Sequence, residues 1–203
     1  MCIIKGRQII TVKMLLLILC LFTLTACTIN GNHSAAMDYI PYAEIPKDYT
    51  LENAKDDGLV VFEDGSITMG QSIWDDFVVS TENREPNAVR LAFYYTLDNQ
   101  NISPEHYAEI KDDYPVLYIQ DLSFNGSEYT LYSVEGTEEY TFNYKYLKRF
   151  EETSPPATAL YSKRIWYALV NDSEVTGEQI QWGMLSSQSG DYIDHKTVYS
   201  KYI

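Results

Sequence analysis

Histidine is scarce in this chain, with 3 among 203 residues, at positions 33, 106 and 195. No serine lies in a Gly-x-Ser-x-Gly turn, so a Ser–His–Asp nucleophile has little to be built from. Cysteine is as sparse and stands only at positions 2, 20 and 27. Everything after residue 27 is free of thiols, which excludes an internal disulfide, a cysteine zinc site and thiol catalysis there. Positive charge is short too: 15 Lys and Arg face 29 Asp and Glu, for a net charge of −14. Gripping phosphate needs clustered cations, so no nucleic-acid partner is expected. The chief apolar run covers only residues 14–24, whereas a helix needs ~20 residues to cross a ~30 Å hydrocarbon core.

That run has a setting of its own. Residues 1–26 hold Lys5, Arg7 and Lys13 and no acid. A basic start, a short apolar centre and an exit through small residues have the form of an export signal. The exit reads Leu24-Thr25-Ala26-Cys27 and resembles a bacterial lipobox, with a branched residue at −3 and a small one at −1. The resemblance implies that Cys27 becomes the mature N-terminus and carries a diacylglycerol through its nucleophilic sulfur. Two or more acyl chains, at ~0.8 kcal/mol per buried methylene, hold a protein on a membrane where one chain does not. The expected location is the extracytoplasmic face of the cell membrane, with the membrane itself a partner through Cys27. Loss of the 26-residue signal and its three cations takes the net charge from −14 to −17.

Residues 28–36 are small and polar and lack any period, so 27–45 are expected to be a flexible tether with a coil span of about 25 Å. Residues 46–203 should form a single domain. Thr50 and Gly58 bracket a short helix, and 59–62 reads as a strand before the turn pair Asp64-Gly65. Ile73, Trp74, Phe77 and Val78 share one helical face, and Val89, Leu91, Phe93 and Tyr95 then alternate as in a strand. Ser103-Pro104 opens another helix. Residues 116–124, 129–134 and 140–146 form three alternating runs, joined by Asn125-Gly126 and Glu135-Gly136, and the first joint is expected to be a two-residue hairpin turn. Ser154-Pro-Pro156 breaks the pattern, and 165–170 is apolar on both faces, as in a central strand. Thr176 and Gln179 form a capping box for a helix bearing Ile180, Met184 and Leu185. Val198 and Tyr199 fit an edge strand. No βαβ rhythm is evident. The expected fold class is α+β, with a twisted antiparallel meander and a few short helices packed on one side.

The chemistry-bearing groups do not converge in the sequence. Asp191, Asp194 and His195 are neighbours, but no second histidine is near and adjacent strand residues face opposite ways; no metal or cofactor is expected. Carboxylate doublets occur at 56–57, 63–64, 75–76, 112–113 and 138–139, and none has the spacing of a calcium loop. All 18 tyrosines follow Cys27. Tyrosine suits strands, which accounts for most of the excess; an exposed row would stack on sugars or face a protein. Tyr140, Tyr144, Tyr146 and Trp166 are the candidate contacts. Lys145, Lys148, Arg149, Lys163 and Arg164 gather positive charge beside those strands, for an anionic contact or for internal pairing.

The stretches 58–65, 70–77, 114–118 and 169–172 resemble an uncharacterised group of exported proteins from clostridia and related Gram-positive bacteria. The resemblance extends over most of 46–203 and implies a host type but no activity. The expected function is a surface-tethered, non-enzymatic module that binds a protein or glycan partner, with an immunity or inhibitor role as one version. The alternative is a cell-envelope hydrolase using two carboxylates. The sequence leaves the oligomeric state open.

Overall fold

In the computed structural model, which describes residues 39–98, 102–153 and 162–203, the first helix is α1 (Leu51–Asp56). Thr50 caps it: the Asn53 amide donates to the Thr50 hydroxyl at 3.2 Å, and the Thr50 amide donates to the Asn53 side chain at 2.9 Å. Two orphan amides are thereby satisfied. Strands β1 (Val60–Glu63) and β2 (Ser66–Met69) form a hairpin. Helix α2 (Gln71–Glu82) follows and leads to β3 (Asn87–Tyr95). Next come α3 (Pro104–Ile110) and the strands β4 (Val116–Phe124), β5 (Tyr129–Glu135) and β6 (Glu138–Tyr144). A second group holds β7 (Tyr146–Thr153), β8 (Lys163–Val170), α4 (Gly177–Leu185) and β9 (His195–Tyr202).

The fold is α+β. Six strands form one sheet in the order β2-β1-β3-β4-β5-β6, and three form another in the order β7-β8-β9. Strands β4 to β6 form the expected antiparallel meander, and β3 pairs antiparallel with β4 across the helix α3. β8 is the central strand of the smaller sheet, and β9 is an edge strand. Cys27, residues 27–38 of the tether, and Ser154-Pro-Pro156 lie outside the described residues. Among the described residues no helix is long and apolar enough to cross a membrane.

Several expectations need correction. The large sheet is mixed, because β1 runs parallel to β3; the crossover through β2 and α2 is a βαβ unit that the interposed hairpin hides from a sequence reading. The helices do not share one side. Val60, Phe62, Leu91, Leu122 and Leu131 pack with Trp74 and Phe77 of α2 and with Leu169, Val198 and Tyr199 of the smaller sheet. On the other face Val61, Ala92 and Ile119 pack with Ala54 of α1 and with Tyr39, Tyr42 and Ile45. The alternating run of β3 therefore has two buried faces, and each needs cover. On the outer face Arg90, 3% exposed, gives a two-pronged pair to Asp121, Nε to Oδ1 at 2.6 Å and Nη2 to Oδ2 at 2.8 Å. Its Nη1 donates to the Ile40 carbonyl at 2.7 Å, and Tyr39 and Tyr42 lie against the guanidinium at 5.2 and 5.8 Å.

Two local readings also change. Asn125-Gly126 does not close a two-residue turn; the strands end at Phe124 and resume at Tyr129, and the Asn125 carboxamide oxygen accepts from the amides of Ser127 and Glu128, both at 2.9 Å. The run 140–146 is not one strand. It breaks at Lys145, and the chain passes from one sheet to the other. Tyr144 enters the core between the sheets while Tyr146 packs with Phe150, Trp166 and Ile180 behind the smaller sheet, so two residues of one parity serve different cores. Helix α4 turns Ile180 inward but leaves Met184 at 52% and Leu185 at 84% exposed.

Candidate functional site

The residues singled out from sequence are not gathered in one place. Trp166 and Tyr144 are each 1% exposed. Trp166 donates its indole N–H to Glu152 at 2.6 Å and packs tilted against Phe150 at 4.5 Å. Tyr144 donates to Asp194 at 3.1 Å; burial first, and then the Asp194 charge, raise its pKa well above the usual phenol value. Both rings belong to cores, on opposite sides of the smaller sheet. Tyr146 is half-buried behind that sheet. Tyr140 is half-buried on β6, directly opposite Ser133.

The charged groups resolve into local pairs. Arg149 and Lys163 both reach Glu151, at 3.0 and 2.6 Å, and hold its carboxyl below the usual range. Lys148 donates to the carbonyls of Ser173 and Val175. Arg164 stands over Trp166 at 4.9 Å and lies 3.8 Å from Glu152. Internal pairing thus accounts for four of the five cations noted in the sequence. Among the doublets, Glu63 is held below its usual pKa by Lys55 and Thr68, Asp57 accepts from Tyr49 at 2.6 Å, and Asp75 accepts from Gln71 at 2.9 Å. Asp191 accepts from Ser186, and His195 Nδ1 contacts the Ile193 carbonyl at 2.8 Å. Among the described residues no group of three His, Cys, Asp or Glu side chains comes together to hold a metal ion.

What does converge lies between the two sheets. Strands β3 and β4 have nine residues each, and the smaller sheet and α2 cover only part of their inner face. Cross-strand partners share a face. Phe93 stands opposite Tyr118, Leu91 opposite Gln120, Gln120 opposite Ser133, and Ser133 opposite Tyr140. These residues continue the plane of the buried Leu91, Leu122 and Leu131 out to an open shelf. Tyr95 and Tyr118 on it are 39% and 48% exposed and meet edge to face at 6.2 Å.

Two adjoining cavities of about 470 and 290 Å³ occupy the shelf. Both are lined by Phe93, Tyr95 and Thr197, along which they adjoin as a two-part cleft. The larger is walled by β9, with Phe62, Asp64 and Gly65 from the β1–β2 hairpin; the smaller extends over Tyr118, Gln120, Ser133 and Glu135. Phe62 and Phe93 stack at 4.6 Å and form the floor. Asp64, in a left-handed conformation at φ 48°, accepts from the Thr96 amide at 2.8 Å and the Thr96 hydroxyl at 2.7 Å. Burial first, then the Tyr118 and Asp64 charges, raise the pKa of Tyr95. The Glu138 hydrogen bond, followed by burial, raises that of Tyr140. The cleft combines rings, hydroxyls and a carboxamide with the carboxylates of Asp64 and Glu135, and among the described residues neither Lys nor Arg lines it.

Sequence reading reached one shelf residue among its four candidates, Tyr140, and missed Tyr95 and Tyr118. The available signal was their place at the far ends of long alternating strands, where the covering layer stops. No protein-family model, curated protein or solved structure matches the chain.

Proposed function

We propose that this chain is a lipid-anchored binding module on the extracytoplasmic face of the cell membrane, held there through Cys27, and that its working surface is the cleft between the two sheets. The observation that carries the proposal is the uncovered aromatic shelf of Tyr95, Tyr118 and Phe93 beside Asp64 and Glu135. Partly exposed tyrosines over an apolar floor, with polar groups at the rim, are the surface composition of recognition sites for proteins and glycans. Asp64 is already committed to the Thr96 amide and hydroxyl at 2.8 and 2.7 Å, which supports binding over hydrolysis by a carboxylate pair. An acidic module of this kind suits a partner of opposite charge.

Two measurements test it. Cys27→Ala should move the protein from the membrane to the soluble fraction, and full membrane retention would sink the anchor. A photo-crosslinking residue at position 118 in living host cells should give a discrete adduct, and one at Val79, 56% exposed on α2, should give none. Absence of any adduct from position 118, or the same adducts from both positions, would remove the shelf as the working surface.

A further inference from the structure

We infer that the occupant of the cleft is an extended, basic segment of a partner protein that adds as a strand along Thr197–Ser200, at the outer edge of β9. The inference rests on the shelf being the working surface. β9 closes the smaller sheet: it pairs with β8 and, among the described residues, with no strand on its other side. Four consecutive residues of it, Thr197 to Ser200, line the larger cavity. A bulge interrupts the alternation here: Val198 and Tyr199 both turn into the core between the sheets, whereas Thr197 and Ser200 stand opposite Ala168 and Trp166 of the other core. A cavity lined by residues of both faces meets the strand along its edge, where backbone N–H and C=O groups point outward. Strand addition draws its affinity from those groups and its specificity from sites for alternate side chains. Proteins blunt exposed edges with lysines and bulges; β9 carries Lys196 and Lys201 and a bulge opposite Tyr167 and Ala168, and the run between the lysines that faces the cavity carries no charge.

Charge selects the partner. Asp64 and Glu135 line the cleft, and Glu138 stands opposite Glu135 at the hairpin end. Lys196 and Arg164 are engaged elsewhere: the Lys196 amine lies 4.1 Å over the Phe142 ring, and Arg164 donates to Ser200 at 2.9 Å. An acidic segment would be repelled by these carboxylates. A Lys or Arg at alternate positions of an added strand would reach them and lie over the faces of Tyr95 and Tyr118. A neutral glycan would use the rings but neither the strand edge nor the carboxylates.

The test uses the full chain in detergent and four probes: an alternating Lys-Val peptide, the same peptide N-methylated at every second residue, an alternating Glu-Val peptide, and a neutral chito-oligosaccharide. Only the unmodified basic peptide should bind, protecting the amides of 197–200 from hydrogen exchange. Asp64→Asn with Glu135→Gln should weaken it by about three- to tenfold, with a further loss as salt rises. Equal binding of the N-methylated peptide would overturn strand addition, and equal binding of the acidic one would overturn the charge argument. Oligosaccharide binding that shifts Tyr95 and Tyr118 without protecting β9 would overturn this inference and leave the binding module standing. No probe binding, together with no adduct from position 118, would overturn both.

Discussion

Asp121→Ala removes one half of the ion pair that fastens residues 39–45 to the outer face of the large sheet. Arg90 is 3% exposed and spends two of its nitrogens on that carboxylate. In the variant the guanidinium keeps the Ile40 carbonyl and the faces of Tyr39 and Tyr42, but its charge has no counterion in a site walled by aromatic rings. Breaking a buried pair from one side costs about 3–5 kcal/mol. The Asp121 side chain is 13% exposed, so water reaches the vacated space and the lower end, about 3 kcal/mol, applies. For a domain of this size each kcal/mol moves the midpoint by about 2–4 °C, so Tm should fall by about 6–12 °C. Thermal unfolding followed by far-UV circular dichroism, at matched protein and salt concentrations, measures it. Arg90→Met with Asp121→Leu removes both charges and should recover most of the loss, because no ion is left to desolvate. A single variant within about 2 °C of the parent, less than 1 kcal/mol, would refute the buried-charge account. A double variant no more stable than the single one would refute the pairing.

Gly70 and Gly58 both have positive φ, 79° and 73°, but a Cβ on Gly70 would lie 2.8 Å from the Leu59 carbonyl oxygen, whereas Gly58 faces open space. Gly58→Ala should cost about 1 kcal/mol from backbone strain alone, and Gly70→Ala clearly more, up to about 3 kcal/mol; equal urea midpoints would show that the close approach is immaterial. Burial first raises Tyr129, Tyr144, Tyr167 and Tyr199 above the unfolded phenol value of 10.0. The folded state then holds protons that the unfolded state releases, so this contribution is complete below pH 10 and fades as pH rises through the folded values. Phenolate absorbance should rise together with loss of circular dichroism at alkaline pH; full titration near 10 with the dichroism intact would contradict the burial.

Much of the local structure was legible in the sequence because it is enforced locally. Thr50 and Thr176 cap their helices through contacts three residues away, and β4 occupies the alternating run 116–124 as read. The readings that failed depended on distant partners. The parallel pairing of β1 and β3 spans a hairpin and a helix, and the break at Lys145 exists because Tyr144 and Tyr146 answer to different cores. Periodicity reports that a face is apolar; it does not report what covers that face. Tyr144 and Trp166 therefore looked as available as Tyr118, and only the packing separated them, at 1% and 48% exposure.

By itself the sequence determined the chemistry that is missing: no thiol after Cys27, few histidines, and an excess of acid that disfavours phosphate. These are matters of inventory, and no folding can supply an absent side chain. It also determined the capped helices and the meander, whose signals lie within a few residues. The tertiary structure alone decided where the covering layer ends, which tyrosines remain outside it, and that the edge of β9 lies along the same cleft as Asp64 and Glu135. That juxtaposition joins segments more than 60 residues apart in the chain, and it exists where a sheet of three strands meets a sheet of six and leaves part of it uncovered.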